Sequence, residues 1–183
     1  ALFDCYRLNG ERLWRIDLGP NVRSGAHYTQ FMVFDFDGDG RSEIVMKTAD
    51  GTIDGQGNVI GDPYADYRYA GDTIRTFRRT PARQGRIFSG KEYLTIFSGL
   101  TGEALHTIDY IPQRGDPADW GDKEANRSDR FLACGAHLGG RPPSVVMCRG
   151  YYTRAVLAAF DWDGKELPQR WAFVFKDEGD EGD

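Results

Sequence analysis

The sequence predicts an all-β protein, part of a β-propeller, with about two and a half four-stranded blades and long calcium-rich loops. Three observations lead there. Glycine is abundant, at 23 residues, and 4 Trp, 9 Tyr and 11 Phe fall in many short runs, as in short strands joined by tight turns. One hairpin unit recurs three times and a second type twice. The two types alternate along the chain, and one of each makes a four-stranded sheet.

The first unit is LFDCYRLNGERLWRIDLG, whose alternating runs flank Asn9-Gly10, a strong hairpin signal. It is read as the outer hairpin of a preceding blade, residues 2–18. The same unit returns as YLTIFSGLTGEALHTIDYI, turning at Thr101-Gly102, and as VLAAFDWDGKELPQRWAFVF, turning at Asp163-Gly164. Glu11, Glu103 and Lys165 follow the three glycines, and Leu13, Leu105 and Leu167 come at one further shared offset. The second hairpin type spans 30–51 and again 130–152, with Phe31 aligned on Phe131 and Val33 on Ala133. The expected organisation is a full blade at 28–111 carrying an insert at 49–91, another at 129–175, and an acidic tail at 176–183. Since a closed ring takes about four blades or more, the chain is expected to be a portion of a larger ring.

The most specific local pattern is DFDGDGRSE, where Asp35, Asp37, Asp39 and Glu43 hold relative positions 1, 3, 5 and 9. Gly40 stands at the sixth position, where such loops turn sharply. So many hard oxygens close together suit calcium; magnesium prefers fewer protein ligands and more water. Helical calcium loops end in Glu at the twelfth position, which here is Met46, so a strand-flanked version is expected. The alternative is a solvated acidic turn.

Two long inserts carry further acids. Asp50, Asp54, Asn58 and Asp62 recur every fourth residue, and Asp119, Asp122, Asn126 and Asp129 form another group. Each set is a candidate second or third calcium site, because ordering long polar loops costs entropy that few apolar residues here offset. Arg68, Arg75, Arg78, Arg79, Arg83 and Arg86 crowd the end of the first insert, as a solvated basic face or a contact for acidic groups.

Several classes are excluded. The net charge is −5 and no basic stripe exists to neutralise phosphates, which argues against nucleic acid. No apolar run approaches the roughly 20 residues that span a bilayer, and no signal peptide is visible. Cys5, Cys134 and Cys148 lack metal spacing; the latter two are either small packed residues or a cross-strand disulfide. Neither a phosphate-binding glycine loop nor a Gly-x-Ser-x-Gly nucleophile turn is present. His27, His106 and His137 are isolated and read as structural. Paired carboxylates are plentiful, but their loop spacing favours metal binding over glycoside hydrolysis.

The segments YTQFMVFDFDGDGRSEIVMKTADGT, VIGDPYADYR, GRIFSGKEYLTIFSGLTGE, DWGDKEANRSDRFLA and MCRGYYTR together resemble bacterial rhamnogalacturonan lyases of the eight-bladed β-propeller type. The resemblance runs from about His27 to Trp171. It implies a calcium-dependent polysaccharide lyase, secreted or at the cell surface or periplasm, and monomeric as the full-length protein. It further implies cleavage of the rhamnogalacturonan I backbone of pectin by β-elimination. On that resemblance Lys47, Arg127, Arg130 and Tyr151 are candidates for facing the substrate cleft, and the acids of the Asp35 loop would hold a structural calcium. No Asn-His-Asn or Asn-Gly-Thr-Lys motif stands in the sequence, so the proposed catalytic Lys/Arg and metal-binding His of the family are expected outside this stretch. The alternatives are a calcium-stabilised propeller module that binds carbohydrate or protein without catalysis, and a secreted adhesion repeat.

Overall fold

The computed structural model of the chain describes residues 1–71, 83, 85–139 and 142–176. Three four-stranded antiparallel sheets and two short 3-10 helices, Pro117–Trp120 and Arg127–Asp129, carry the regular structure of these residues. The first runs in the order β1 (Leu2–Tyr6), β2 (Arg12–Asp17), β5 (Thr52–Ile53), β6 (Val59–Ile60). The second is β3 (Phe31–Phe34), β4 (Glu43–Ala49), β7 (Glu92–Ser98), β8 (Ala104–Asp109), and the third is β9 (Phe131–Ala136), β10 (Ser144–Arg149), β11 (Arg154–Phe160), β12 (Gln169–Lys176).

The half-sheet expected at 2–18 is therefore a complete one. Residues from within the first insert return to it as β5 and β6, with Asp17 opposite Ile53 and Thr52 opposite Ile60. Strands of two residues carry no alternation, so periodicity cannot announce them. Glycine makes the joint: Gly51 sits at φ +79°, and a Cβ on Gly19 would meet the Gly51 carbonyl oxygen at 2.5 Å.

The second sheet is covered on both faces. Every residue of β4 is buried, the apolar run Ile44–Met46 together with the polar Glu43, Lys47 and Thr48. Trp14, Ile16, Leu18, Ile44, Met46 and Phe97 form one core against the first sheet. Val45, Leu94, Ile96, Phe131, Val145, Met147 and Phe160 form another against the third. Alternation along β4 thus divides Ile44 and Met46 from Val45. Each such side chain, fully buried, contributes about 1.5–3 kcal/mol relative to exposure.

The three recurring hairpins share a detail beyond their turns: register shifts at Cys5/Tyr6, Ile96/Phe97 and Ala159/Phe160, each just before the turn. The Asn9-Gly10 turn is wider than a two-residue hairpin, since Gly10 N–H donates to Arg7 O at 2.9 Å and Arg7 N–H to Glu11 O at 2.8 Å. The recurrent leucines do not share an environment. Leu13 and Leu105 are exposed, whereas Leu167 is buried in the second core. Cys134 pairs with Val146 and Cys148 with Leu132, two positions away from facing each other, and both thiols are free. Arg75, Arg78, Arg79 and the tail at 177–183 lie outside the described residues.

Candidate functional site

The acidic loop between β3 and β4 folds its carboxylates inward. Asp35 Oδ1 accepts from the N–H of Gly38 at 2.7 Å and of Asp39 at 3.1 Å, and its Oδ2 from Gly40 N–H at 3.0 Å. Gly38 and Gly40 are left-handed, at φ +81° and +89°, which permits the tight winding. One ligand oxygen each from Asp35, Asp37 and Asp39 lies within 4.8 Å of the others, the one such acidic group among the described residues. Glu43 closes the loop from the strand side, its Oε2 accepting Phe36 N–H at 2.9 Å. Burial raises its pKa to about 7, against that hydrogen bond, and the charges of Asp37, Asp39 and Asp35 push the same way as burial. A donor set of crowded hard oxygens, one of them reluctant to ionise beside the others, fits a divalent cation.

The other acid groups do not converge in this manner. Asp50 accepts the hydroxyls of Tyr67 at 2.6 Å and Tyr93 at 2.8 Å, and Asp62 N–H at 2.9 Å. Burial would raise the Asp50 pKa, but these hydrogen bonds outweigh it and hold the carboxyl below its ordinary value. Asp54 accepts the N–H groups of Gln56, Asn58 and Ala104 and the side-chain amide of Asn58. In the third group, Asp119 is exposed, and Asp122 takes the N–H groups of Glu124, Asn126 and Arg127. Asp129 is 1% exposed, with Arg114 at 2.7 Å and Arg23 at 3.4 Å. An Asp side chain in a turn also serves as a local cap for backbone N–H groups, as Asp54 and Asp122 do here.

Of the four residues expected to face substrate, three come together. Arg127 lies over the Tyr152 ring at 4.6 Å, and Tyr152 packs on Tyr151 with ring centroids 5.1 Å apart. Tyr151 Oη is 3.3 Å from His27 Nδ1. Arg130 stacks on Tyr28 at 5.2 Å and reaches Asn126 Oδ1 at 3.5 Å, which also accepts the Tyr28 hydroxyl at 3.2 Å. Gly121 backs this surface at φ +96°, where a Cβ would stand 2.8 Å from Arg127 Nη1. The resulting patch of guanidinium groups and tyrosine rings suits an anionic sugar: forked donors for a carboxylate, flat faces for a pyranose ring.

Lys47 is the exception and corrects the expectation. It is 4% exposed and points into the molecule, with Nζ 3.0 Å from Glu92 Oε1. Burial lowers its pKa, partly opposed by Glu92 and Asp129. Lys47 belongs to a buried group with Glu92, Arg114, Asp129 and Arg149 at the end of the core between the second and third sheets. Burial would raise the Glu92 pKa, but Lys47, Arg149 and Arg114 hold it well below the carboxylate range. Sequence reasoning missed Glu92, Arg114, Arg149, His27 and Tyr28 as parts of this region. A signal existed for Arg149, which falls in phase with Val145 and Met147 along β10.

Residues 1–183 match the family described as Rhamnogalacturonan lyase family 11, C-terminal domain. The chain is similar to "Rhamnogalacturonan exolyase YesX" of Bacillus subtilis (strain 168), with 56% identity over 181 residues, 99% of the chain and 28% of that protein. Against "Rhamnogalacturonan endolyase YesW" of the same organism it is 50% identical over 181 residues, 99% of the chain and 27% of the relative. The solved structure "Bacillus licheniformis Rhamnogalacturonan Lyase PL11" superposes with a TM-score of 0.85 at 57% identity, over 94% of the chain and 27% of that protein. The chain thus spans under a third of the length of these relatives.

Proposed function

The chain belongs to rhamnogalacturonan lyase family 11, as C-terminal domain sequence, and on that premise we propose that it works within a longer calcium-dependent lyase that cuts the rhamnogalacturonan I backbone of pectin. The observation that carries this beyond kinship is the patch of Arg127, Arg130, Tyr28, Tyr151 and Tyr152.

β-Elimination at a galacturonate removes the C5 proton to a base. The electron pair forms the C4=C5 double bond, the bond from C4 to the rhamnosyl oxygen breaks, and that oxygen takes up a proton. The C5 proton is acidic enough only if the adjacent carboxylate is neutralised. In this proposal Arg127 and Arg130 hold that carboxylate or a neighbouring one along the polymer, and the tyrosines support the sugar faces. The base comes from elsewhere in the longer protein.

Within the same proposal, Asp35, Asp37, Asp39 and Glu43 hold a structural calcium that fixes the β3–β4 loop. The three sheets are consecutive blades of an eight-bladed propeller, and the protein acts outside the cytoplasm on its polymer. Outward faces such as β12, exposed throughout and carrying Trp171, Phe173 and Phe175, support the propeller reading, because a blade buries such a face on its neighbour.

The test is the full-length protein with rhamnogalacturonan I and calcium, followed at the absorbance of the unsaturated uronate. A steady rise is expected. No rise, with polymer still bound, replaces the lyase reading by that of a carbohydrate-binding module.

A further inference from the structure

We infer that Glu92 is a positioning residue for the cationic surface, acting through Arg114 and Arg149 on the backbone that carries Asn126, Arg127 and Arg130, an inference that rests on the function proposed above.

Glu92 opens β7 at 1% exposure. Its Oε1 lies 2.7 Å from Arg114 Nη2 and its Oε2 2.5 Å from Arg149 Nη1. Both arginines continue past it to the same place. Arg114 Nη1 donates to Ser128 Oγ at 3.1 Å and Nη2 meets Asp129 Oδ1 at 2.7 Å. Arg149 Nε donates to the Ser128 carbonyl at 2.8 Å. Residues 128 and 129 stand between Arg127 and Arg130, so the two guanidinium groups brace from below the stretch that displays the surface pair.

The preceding residue pair is equally constrained. Ala125 is fully buried at φ +52°, the one non-glycine residue with positive φ among the described residues. A left-handed alanine persists only where surrounding contacts determine it. Arg23 bonds its carbonyl at 3.1 Å, and Asp122 ties the N–H groups on either side of it.

A purely stabilising role explains this poorly. The anions that Lys47, Arg114 and Arg149 pair with are Glu92 and Asp129, and an apolar cluster of equal volume usually stabilises as well or better. Beside that charge group the two sheets share a large apolar cluster. Charge appears where the interface meets the displayed segment, and directional bonds fix orientation in a way that Leu or Met does not. Replacing the Glu92 charge leaves three buried cations to one anion, so both arginines must turn, and residues 126–130 turn with them.

The test compares wild type with Glu92→Gln in the full-length protein, by uronate absorbance, with rates scaled to folded protein. The expected result is a KM raised by about tenfold or more at a kcat within about threefold, because displaced binding groups lose ground-state contacts. A lowered melting temperature with KM unchanged, or a fall in kcat alone, overturns the inference and leaves a structural role. If Glu92→Gln does not fold, Ser128→Ala decides, since it removes a single Arg114 contact: a raised KM supports positioning and an unchanged KM overturns it. A wild-type protein without any absorbance gain defeats the proposed function itself, and this inference with it.

Discussion

Arg15 grips Asp4 through two parallel hydrogen bonds, Nε to Oδ1 at 2.6 Å and Nη2 to Oδ2 at 2.7 Å, across the directly paired positions of β1 and β2. Hydrogen bonding from Arg15 lowers the Asp4 pKa from 3.8 to about 2, against burial, with help from the Tyr6 hydroxyl. The sign follows: the pair favours the folded state above the ordinary value of 3.8, and that contribution is lost as pH falls through about 2. In Arg15→Gln the carboxyl midpoint should rise to about 4, read by NMR titration of the Asp4 carboxyl. An unmoved midpoint would mean the fork is absent in solution.

The acidic loop predicts a calcium-dependent melting curve. A ligand at a hundred times its Kd stabilises by about 2.7 kcal/mol, which is about 5–10 °C for a chain of this size. Asp37→Ala should abolish most of that gain. Identical wild-type curves in calcium and in chelator, recorded by circular dichroism, would remove the metal from the account.

Asp54 predicts a loss of stability that calcium does not alter. Its carboxylate holds the N–H groups of Gln56 and Asn58 beside β5 and β6, and that of Ala104 at the start of β8. Asp54→Ala should cost about 3 kcal/mol, because several bonds to a charged acceptor disappear together. Urea titration should give the same loss with calcium or chelator. A loss confined to calcium buffer would return Asp54 to the metal ligands.

The surface patch predicts a charge- and shape-dependent affinity. Arg127→Ala should weaken binding of a galacturonate-containing oligosaccharide by about tenfold or more, measured by calorimetry. Arg127→Lys should recover only part of it, since an ammonium keeps the charge but loses the planar fork that lies over Tyr152. Full recovery by lysine would reduce the residue to a point charge.

These expectations divide along the line between local and long-range information. The hairpins were legible because alternation and glycine turns are written within about a dozen residues, as at Thr101-Gly102 between β7 and β8. The Asp35 loop was legible for the same reason. Strands β5 and β6 were not: two residues show no period, and β2, the partner of β5, lies more than thirty positions earlier. For Asp50, Asp54 and Asp122 the sequence does not separate capping from metal binding, because both draw on the same carboxylate geometry. Lys47 was misjudged for a related reason, as a lysine in a strand is ordinarily exposed, and its partner Glu92 sits forty-five residues away. Tyr28 meets Asn126, and its neighbour His27 meets Tyr151, from three distant stretches, and nothing in any one of them announces the others.

The return of β5 and β6 to the first sheet, after β3 and β4 have been laid down in the second, links the two like stitches worked alternately through two cloths. A protease nick at residue 20 or at residue 91 would each sever a thread that both sheets share. A nick near residue 115 would pass between finished pieces of weaving, with β1–β8 on one side and β9–β12 on the other. Such a cut keeps every sheet whole, yet it parts the apolar core and the buried charge group that the second and third sheets share.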